Sequence, residues 1–221
     1  MRHWIFIIIG SWFLLQPMVS TGQSKWTPNG FRVGIDAYNA GLAFFDPTQQ
    51  IELSSDIFWK RWHLVTDLGF YNNTEVSETV DFDYQNEGVF VRVGGEINIL
   101  YKDFRDESLF FGIKYARTAF NEEVSATIED PLFGNSEVTF DNQLAASWFE
   151  MNFGIKFRAW KQLLMGYTVR YMFGASVNGT QGFDVYRVPA YGDPNRSNFG
   201  FSYYIYYQLP FKKRTSPKKE K

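Results

Sequence analysis

The stretch WFEMNFGIKFRAWKQLLMGYTVRYMF, residues 148–173, alternates for almost its whole length. Successive side chains of an extended chain point to opposite faces. Phe149, Met151, Phe153, Ile155 and Phe157 therefore fall on one side, and Glu150, Asn152, Gly154, Lys156 and Arg158 on the other. After a break at 159–162 the apolar set resumes with Leu163, Met165, Tyr167, Val169, Tyr171 and Phe173. The period predicts two strands. Which face meets water separates a soluble sheet protein from a barrel standing in a membrane, and periodicity alone does not decide it.

The same period recurs and predicts eight strands in all. Residues 31–39 set Phe31, Val33, Ile35 and Ala37 against Arg32, Gly34 and Asp36. Residues 50–58 set Ile51, Leu53 and Ile57 against Glu52, Ser54 and Asp56. Residues 62–71 set Trp62, Leu64, Leu68 and Phe70 against His63, Asp67 and Gly69. Residues 87–99 set Val89, Val91, Val93, Ile97 and Ile99 against Arg92, Gly94, Glu96 and Asn98, with Gly94–Gly95 marking a bulge or sharp curvature. Residues 108–120 set Leu109, Phe111, Ile113 and Tyr115 against Gly112, Lys114 and Ala116. Residues 198–210 set Phe199, Phe201, Tyr203, Ile205, Tyr207 and Leu209 against Gly200, Ser202 and Gln208. Helical templates fit poorly, because β-branched and aromatic residues dominate and glycine recurs inside the segments.

Connections sort by length. Those at 59–61, 100–107 and 159–162 are short, those at 72–86, 121–143 and 175–197 are long, and 40–49 is intermediate. An even number of antiparallel strands with short turns at one end and long loops at the other is the plan of an outer-membrane barrel. Ten residues at roughly 3.3 Å each, tilted by about 45°, span about 23 Å, close to the apolar band of such barrels. Both termini then lie at the short-turn, periplasmic end. The long loops are rich in Asp and Glu and hold only Arg187 and Arg196 as bases, whereas the tail FKKRTSPKKEK, residues 211–221, is strongly basic.

The polar face carries Asp36, Glu52, Asp56, Asp67, Glu96 and Glu150 with Arg32, Arg92, Lys114, Lys156, Arg158 and Arg170. The inventory is balanced, and glycines accompany it at 34, 69, 94, 112, 154, 166 and 200. Glycine suits a crowded, curved interior, and an eight-stranded barrel has room inside for side chains and little else. Charges placed there must pair, because an isolated buried ion is very costly. The expectation is an internal ion-pair network, with the apolar face turned to lipid. Trp59, Trp62 and Trp160 fall beside the short turns, where barrels carry aromatic girdles. Arg117 is an exception: its phase points outward, near the long-loop end, where it can snorkel to head groups.

The chain start reads as a signal. Arg2 and His3 precede an apolar run over 4–15, Pro17 ends any helix, and Ser20, Thr21 and Gly22 are small. This is the pattern of a secretory signal peptide, and the run is shorter than the roughly 20 residues a spanning helix needs. The expected organisation is a signal over 1–22, a short lead over 23–30, the barrel over 31–210 and a basic periplasmic tail over 211–221. There is no cysteine, hence no disulfide and no thiolate chemistry. The formal charge of −2 gives no global attraction for nucleic acid.

The stretches GFRVGIDAYNAG, LVTDLGFYNN, NEGVFVRVGGEINIL, FFGIKYARTAF and WFEMNFGIKFRAW resemble small outer-membrane β-barrels of the Bacteroidetes type, a family of unknown function related in plan to OmpA/OmpX-type barrels. The resemblance spans nearly all of residues 23–221. It implies an all-β, eight-stranded, up-and-down transmembrane barrel in the outer membrane, and it carries no catalytic residues to these positions.

Chemistry has few footholds. His63 alone could serve a Ser–His–acid arrangement, with Asp56 or Asp67, but its phase turns it inward. Glu52, Asp56 and Asp67 form a carboxylate cluster on adjacent strands, for which ion pairing with nearby arginines is the better reading. No catalytic residue, cofactor or metal site is expected, and the chain reads as a non-enzyme. Three functions stay open: a structural or adhesive barrel that meets a surface partner through loops 121–143 and 175–197, a narrow channel for small solutes, and a secreted lipocalin-like binder with its apolar face inward. The first is preferred, with outer-membrane lipid as the surrounding partner and no nucleic acid.

Overall fold

The computed structural model describes residues 28–43, 45, 48–77, 82–100, 107–130, 134–179 and 185–211, with the backbone alone at 76–77, 82, 126–130 and 134–138. Eight strands follow one another: β1 Gly30–Asp36, β2 Gln49–Trp59, β3 Trp62–Ser77, β4 Phe82–Asn98, β5 Ser108–Asp130, β6 Gly134–Trp160, β7 Leu163–Asn178 and β8 Asn198–Pro210. Each pairs antiparallel with the next, and β1 closes on β8, giving a sealed barrel. The expected signal over 1–22, most of the expected lead over 23–30 and the tail beyond Phe211 lie outside the described residues.

Alternation fixes the faces. Along β6, Phe149, Met151, Phe153 and Ile155 are exposed, while Glu150, Asn152, Gly154 and Lys156 are buried. In this run the apolar side chains point out of the cylinder and the charged ones point in. Closure leaves no edge within the barrel wall, so its backbone polar groups are paired. Tight turns close with left-handed backbone at Lys60 (φ 50°) and Lys161 (φ 42°).

Four expectations need correction. The span 121–143 is largely strand: β5 and β6 continue as a paired ladder to Asp130↔Gly134. The span 72–86 likewise extends β3 and β4, which pair to Ser77↔Phe82. Apolar alternation fades there because the inward positions are largely polar, Asn73, Asn86, Glu122 and Asn142 being buried, but the backbone ladder persists. Ala37 begins a short helix, α1 (Ala37–Leu42), instead of continuing β1. Gly94–Gly95 keeps regular register with both neighbours; the irregularities fall in the β6–β7 pairing, around Trp148 and Ala159.

Gly94 is explained by closeness. A Cβ on it would lie 2.1 Å from the Ile113 carbonyl oxygen. Gly69 serves an aromatic: a Cβ there would lie 2.1 Å from Cζ of Phe90, whose ring covers the glycine from inside. Tyr206 over Gly34 and Phe110 over Gly154 repeat the device. Gly69→Ala is therefore expected to cost about 1–3 kcal/mol, the usual range for overpacking. The urea midpoint of the refolded barrel measures it, and an unchanged midpoint would refute the packing account.

Candidate functional site: the charged lumen and its plug

Every strand contributes to the interior. Nearest the short turns, a strictly alternating chain of charges runs Arg32–Asp56–Lys156–Glu96–Lys114–Asp67. Arg32 Nη1 lies 3.4 Å from Asp56 Oδ2. Lys156 Nζ bridges Asp56 and Glu96, at 2.9 Å from each. Lys114 Nζ sits 2.8 Å from Asp67 and 3.6 Å from Glu96. Arg32 Nε also donates to Gln208 at 3.0 Å.

Above it a closed ring alternates in the same way. Arg92 meets Glu52 at 2.7 Å and Glu150 at 2.8 Å. Arg170 meets Glu52 at 2.9 Å and reaches Glu150 at 3.9 Å. The Tyr204 hydroxyl donates to Glu52 and accepts from Arg170. Trp148 Nε1 donates to Glu150 at 2.8 Å. Each set is internally neutral, which is what burial demands, because an unmatched ion there would be very costly. Aromatic faces complete the lining: Arg32 lies over Phe58, Arg92 over Phe90 and Lys156 over Phe110, at 4.2, 4.4 and 4.7 Å.

Ten of the twelve charged residues singled out from the sequence thus occupy these two sets. The other two differ. Asp36 is buried but caps α1, accepting from the Tyr38 and Asn39 amides, and it also accepts from the Tyr203 amide of β8. Arg158 is only half-buried, at the short-turn end of β6. His63 is buried with its ring 5.9 Å from that of Phe58. Among the described residues its Nδ1 has no hydrogen-bond partner, so no serine or carboxylate orients it there. Among the same residues no cluster of three or more His, Asp or Glu is arranged to hold a metal ion.

The long-loop mouth is closed by the connection between β7 and β8. A turn with the reciprocal hydrogen bonds Val188 N–H to Gly192 C=O (2.8 Å) and Gly192 N–H to Val188 C=O (2.9 Å) folds over the opening. Ala190 and Gly192 take positive φ, 61° and 105°. Val185, Val188 and Tyr191 pack with Phe120, Leu144, Trp148 and Met172. Polar ties fix the turn: Asn86 donates to the Arg187 carbonyl at 2.6 Å, and the Tyr186 amide donates to Glu122 at 3.2 Å. Beside it a cavity of about 400 Å³ opens above the ring, bordered by Tyr38, Arg92, Arg170 and Tyr191.

Periodicity missed the interior aromatics and this plug. Tyr204 and Tyr206 share the phase of Ser202 and Gln208, and Trp148 shares that of Glu150, so register alone locates them. Val185, Val188 and Tyr191 lie in an irregular segment, where no period signals burial.

The chain belongs to a family described as a domain of unknown function, DUF6048, whose model matches residues 15–214. No curated protein sequence matches it. Among solved structures it is similar to Ail, the attachment invasion locus protein of Yersinia pestis, crystallised in complex with the heparin analogue sucrose octasulfate. The identity is 8%, the match covers 81% of this chain and 97% of that one, and the TM-score is 0.38.

Proposed function

We propose that the chain is an outer-membrane barrel with a sealed lumen, acting as a structural or surface-interaction protein through its long-loop end. The observation that carries this reading is the inside-out burial. Leu68 and Val89 are 57% and 58% exposed, while Glu52, Asp67 and Glu150 are wholly buried. A continuous apolar belt of this kind around a closed cylinder suits hydrocarbon, not water. Exposed Trp62 and Trp160 at the short turns suit the membrane boundary. Residues 1–22 would direct secretion, and 211–221 would remain in the periplasm.

Two neutral charge sets and an apolar plug fill the lumen among the described residues, which favours this reading over a channel. The β5–β6 hairpin favours recognition. Among the described residues the pairing of β6 with β7 begins at Ala145, so there 134–144 pairs with β5 alone and turns its other backbone edge away from the wall. Open edges accept added strands.

Purified protein in planar bilayers is expected to show no steady conductance, and protease added to intact cells is expected to cut within 121–143. Discrete channel events would favour the narrow-channel reading. A chain recovered in the soluble fraction without detergent would favour the lipocalin-like one.

A further inference from the structure

Arg117 stands where a charge is least expected. It points outward from β5, between Tyr115 and Ala119, across from Val91 on β4 and Ser147 on β6. Beside it the outer wall carries a groove of about 570 Å³ lined by Leu53, Leu68, Phe70, Val89 and Val91, with Arg117 its one charged side chain. The polar neighbour Thr118 already donates to the Val89 carbonyl, at 2.9 Å. No ion pair to Arg117 occurs among the described residues. The next outward acids on its own and the adjoining strand, Glu123 and Glu87, lie six and four positions nearer the long loops. At ~3.3 Å per residue they are more than about 13 Å away. The protein thus provides an apolar trough of ligand size with a cation beside it and, among the described residues, no anion paired with that cation.

Resting on the membrane reading above, we infer that this groove is a binding site for one phosphate-bearing lipid of the outer leaflet: an acyl chain lies along Leu53, Leu68 and Val89, and the guanidinium pairs with the phosphate. Charge complementarity selects the occupant. The guanidinium is permanently charged and presents a planar fork that suits phosphate. Its place at the upper end of the apolar belt lets it reach head-group level by snorkelling. A zwitterionic lipid carries its own cation and competes with Arg117 for the phosphate, so an anionic lipid is preferred.

The test uses the full mature chain refolded into phosphatidylcholine vesicles, with spin-labelled phosphatidylglycerol or spin-labelled phosphatidylcholine as probe. The protein-restricted component of each spectrum gives relative association. Phosphatidylglycerol is expected to exceed phosphatidylcholine about fivefold at one site, the ratio given by the ~1 kcal/mol that a basic residue contributes near an anionic surface. Arg117→Ala should abolish the preference and Arg117→Lys should keep most of it. Val89→Trp, which fills the trough but leaves the charge, should weaken it. Equal association of the two lipids with the wild type, or an undiminished preference in Arg117→Ala, would overturn the site. Heat-modifiable gel mobility on the same samples separates the two claims. A barrel that inserts but shows no preference refutes the lipid site alone, whereas failure of the wild type to insert refutes the membrane reading and the site with it.

Discussion

Glu52→Ala is expected to destabilise the barrel by about 3–5 kcal/mol, the largest loss of any single substitution in the lumen. Glu52 is the shared partner of Arg92 and Arg170 and also accepts from Tyr204. Its removal opens the upper ring and leaves two buried guanidiniums facing one remaining carboxylate, Glu150. The penalty arises less from the lost attraction than from the excess positive charge left without water. Two companions test that cause. Glu52→Gln keeps an acceptor for Tyr204 but loses the charge, and should recover only a small part of the loss. Replacing Glu52 and Arg92 together by leucine restores charge balance and should destabilise less than Glu52→Ala, because apolar replacement of a whole buried pair is often near neutral. Urea unfolding in the same lipid or detergent reads all three. A Glu52→Ala barrel within about 0.5 kcal/mol of wild type, the range of an ordinary surface change, would show that the ring is hydrated and does not hold the strands together.

Val93→Arg carries the second large effect. Val93 faces outward near the middle of the apolar belt, across from Thr66 on one side and Tyr115 on the other. In a bilayer an arginine at that depth costs about 2–4 kcal/mol, and near the interface about 0–1 kcal/mol. Gln85→Arg supplies the comparison, since Gln85 faces outward on the same strand, beyond the belt. Folding free energy in vesicles should therefore fall steeply for Val93→Arg and hardly at all for Gln85→Arg. If the outer wall met water, both changes would fall within about 0.5 kcal/mol. The pair thus isolates depth in hydrocarbon from any general intolerance of the strand.

Much of the fold was legible because a barrel wall has one repeating rule. Between Phe149 and Lys156 each residue's face follows from its parity, and the same parity places Arg92, Lys114 and Glu150 together inside although they come from different strands. Parity fails where its physical basis lapses. Beyond Phe120 the β5–β6 ladder continues with polar residues such as Glu122 and Asn142 turned inward, so apolar alternation stops while hydrogen bonding does not. Asp36 keeps the inward phase, but β1 ends at that residue, and its carboxylate satisfies amides of α1 instead of a cation. Trp148 and Tyr204 read as greasy residues, yet each carries a polar atom that reaches a buried carboxylate. The plug at Val185, Val188 and Tyr191 has no period at all; it is fixed by a turn and by contacts with strands far away in sequence.

The central claim, that the apolar face meets hydrocarbon while the charged face is enclosed, is open to a direct test. The chain has no cysteine, so single cysteines can be introduced one at a time along residues 149–156 and spin-labelled without background. Collision with oxygen, which concentrates in lipid, is expected to peak at 149, 151, 153 and 155 in membranes, with little access by a water-soluble nickel complex. Positions 150, 152, 154 and 156 should resist both reagents or prevent folding. Strong collision of the nickel complex with labels at 149, 151, 153 and 155 would place that face in water and contradict the barrel's proposed seat in the membrane.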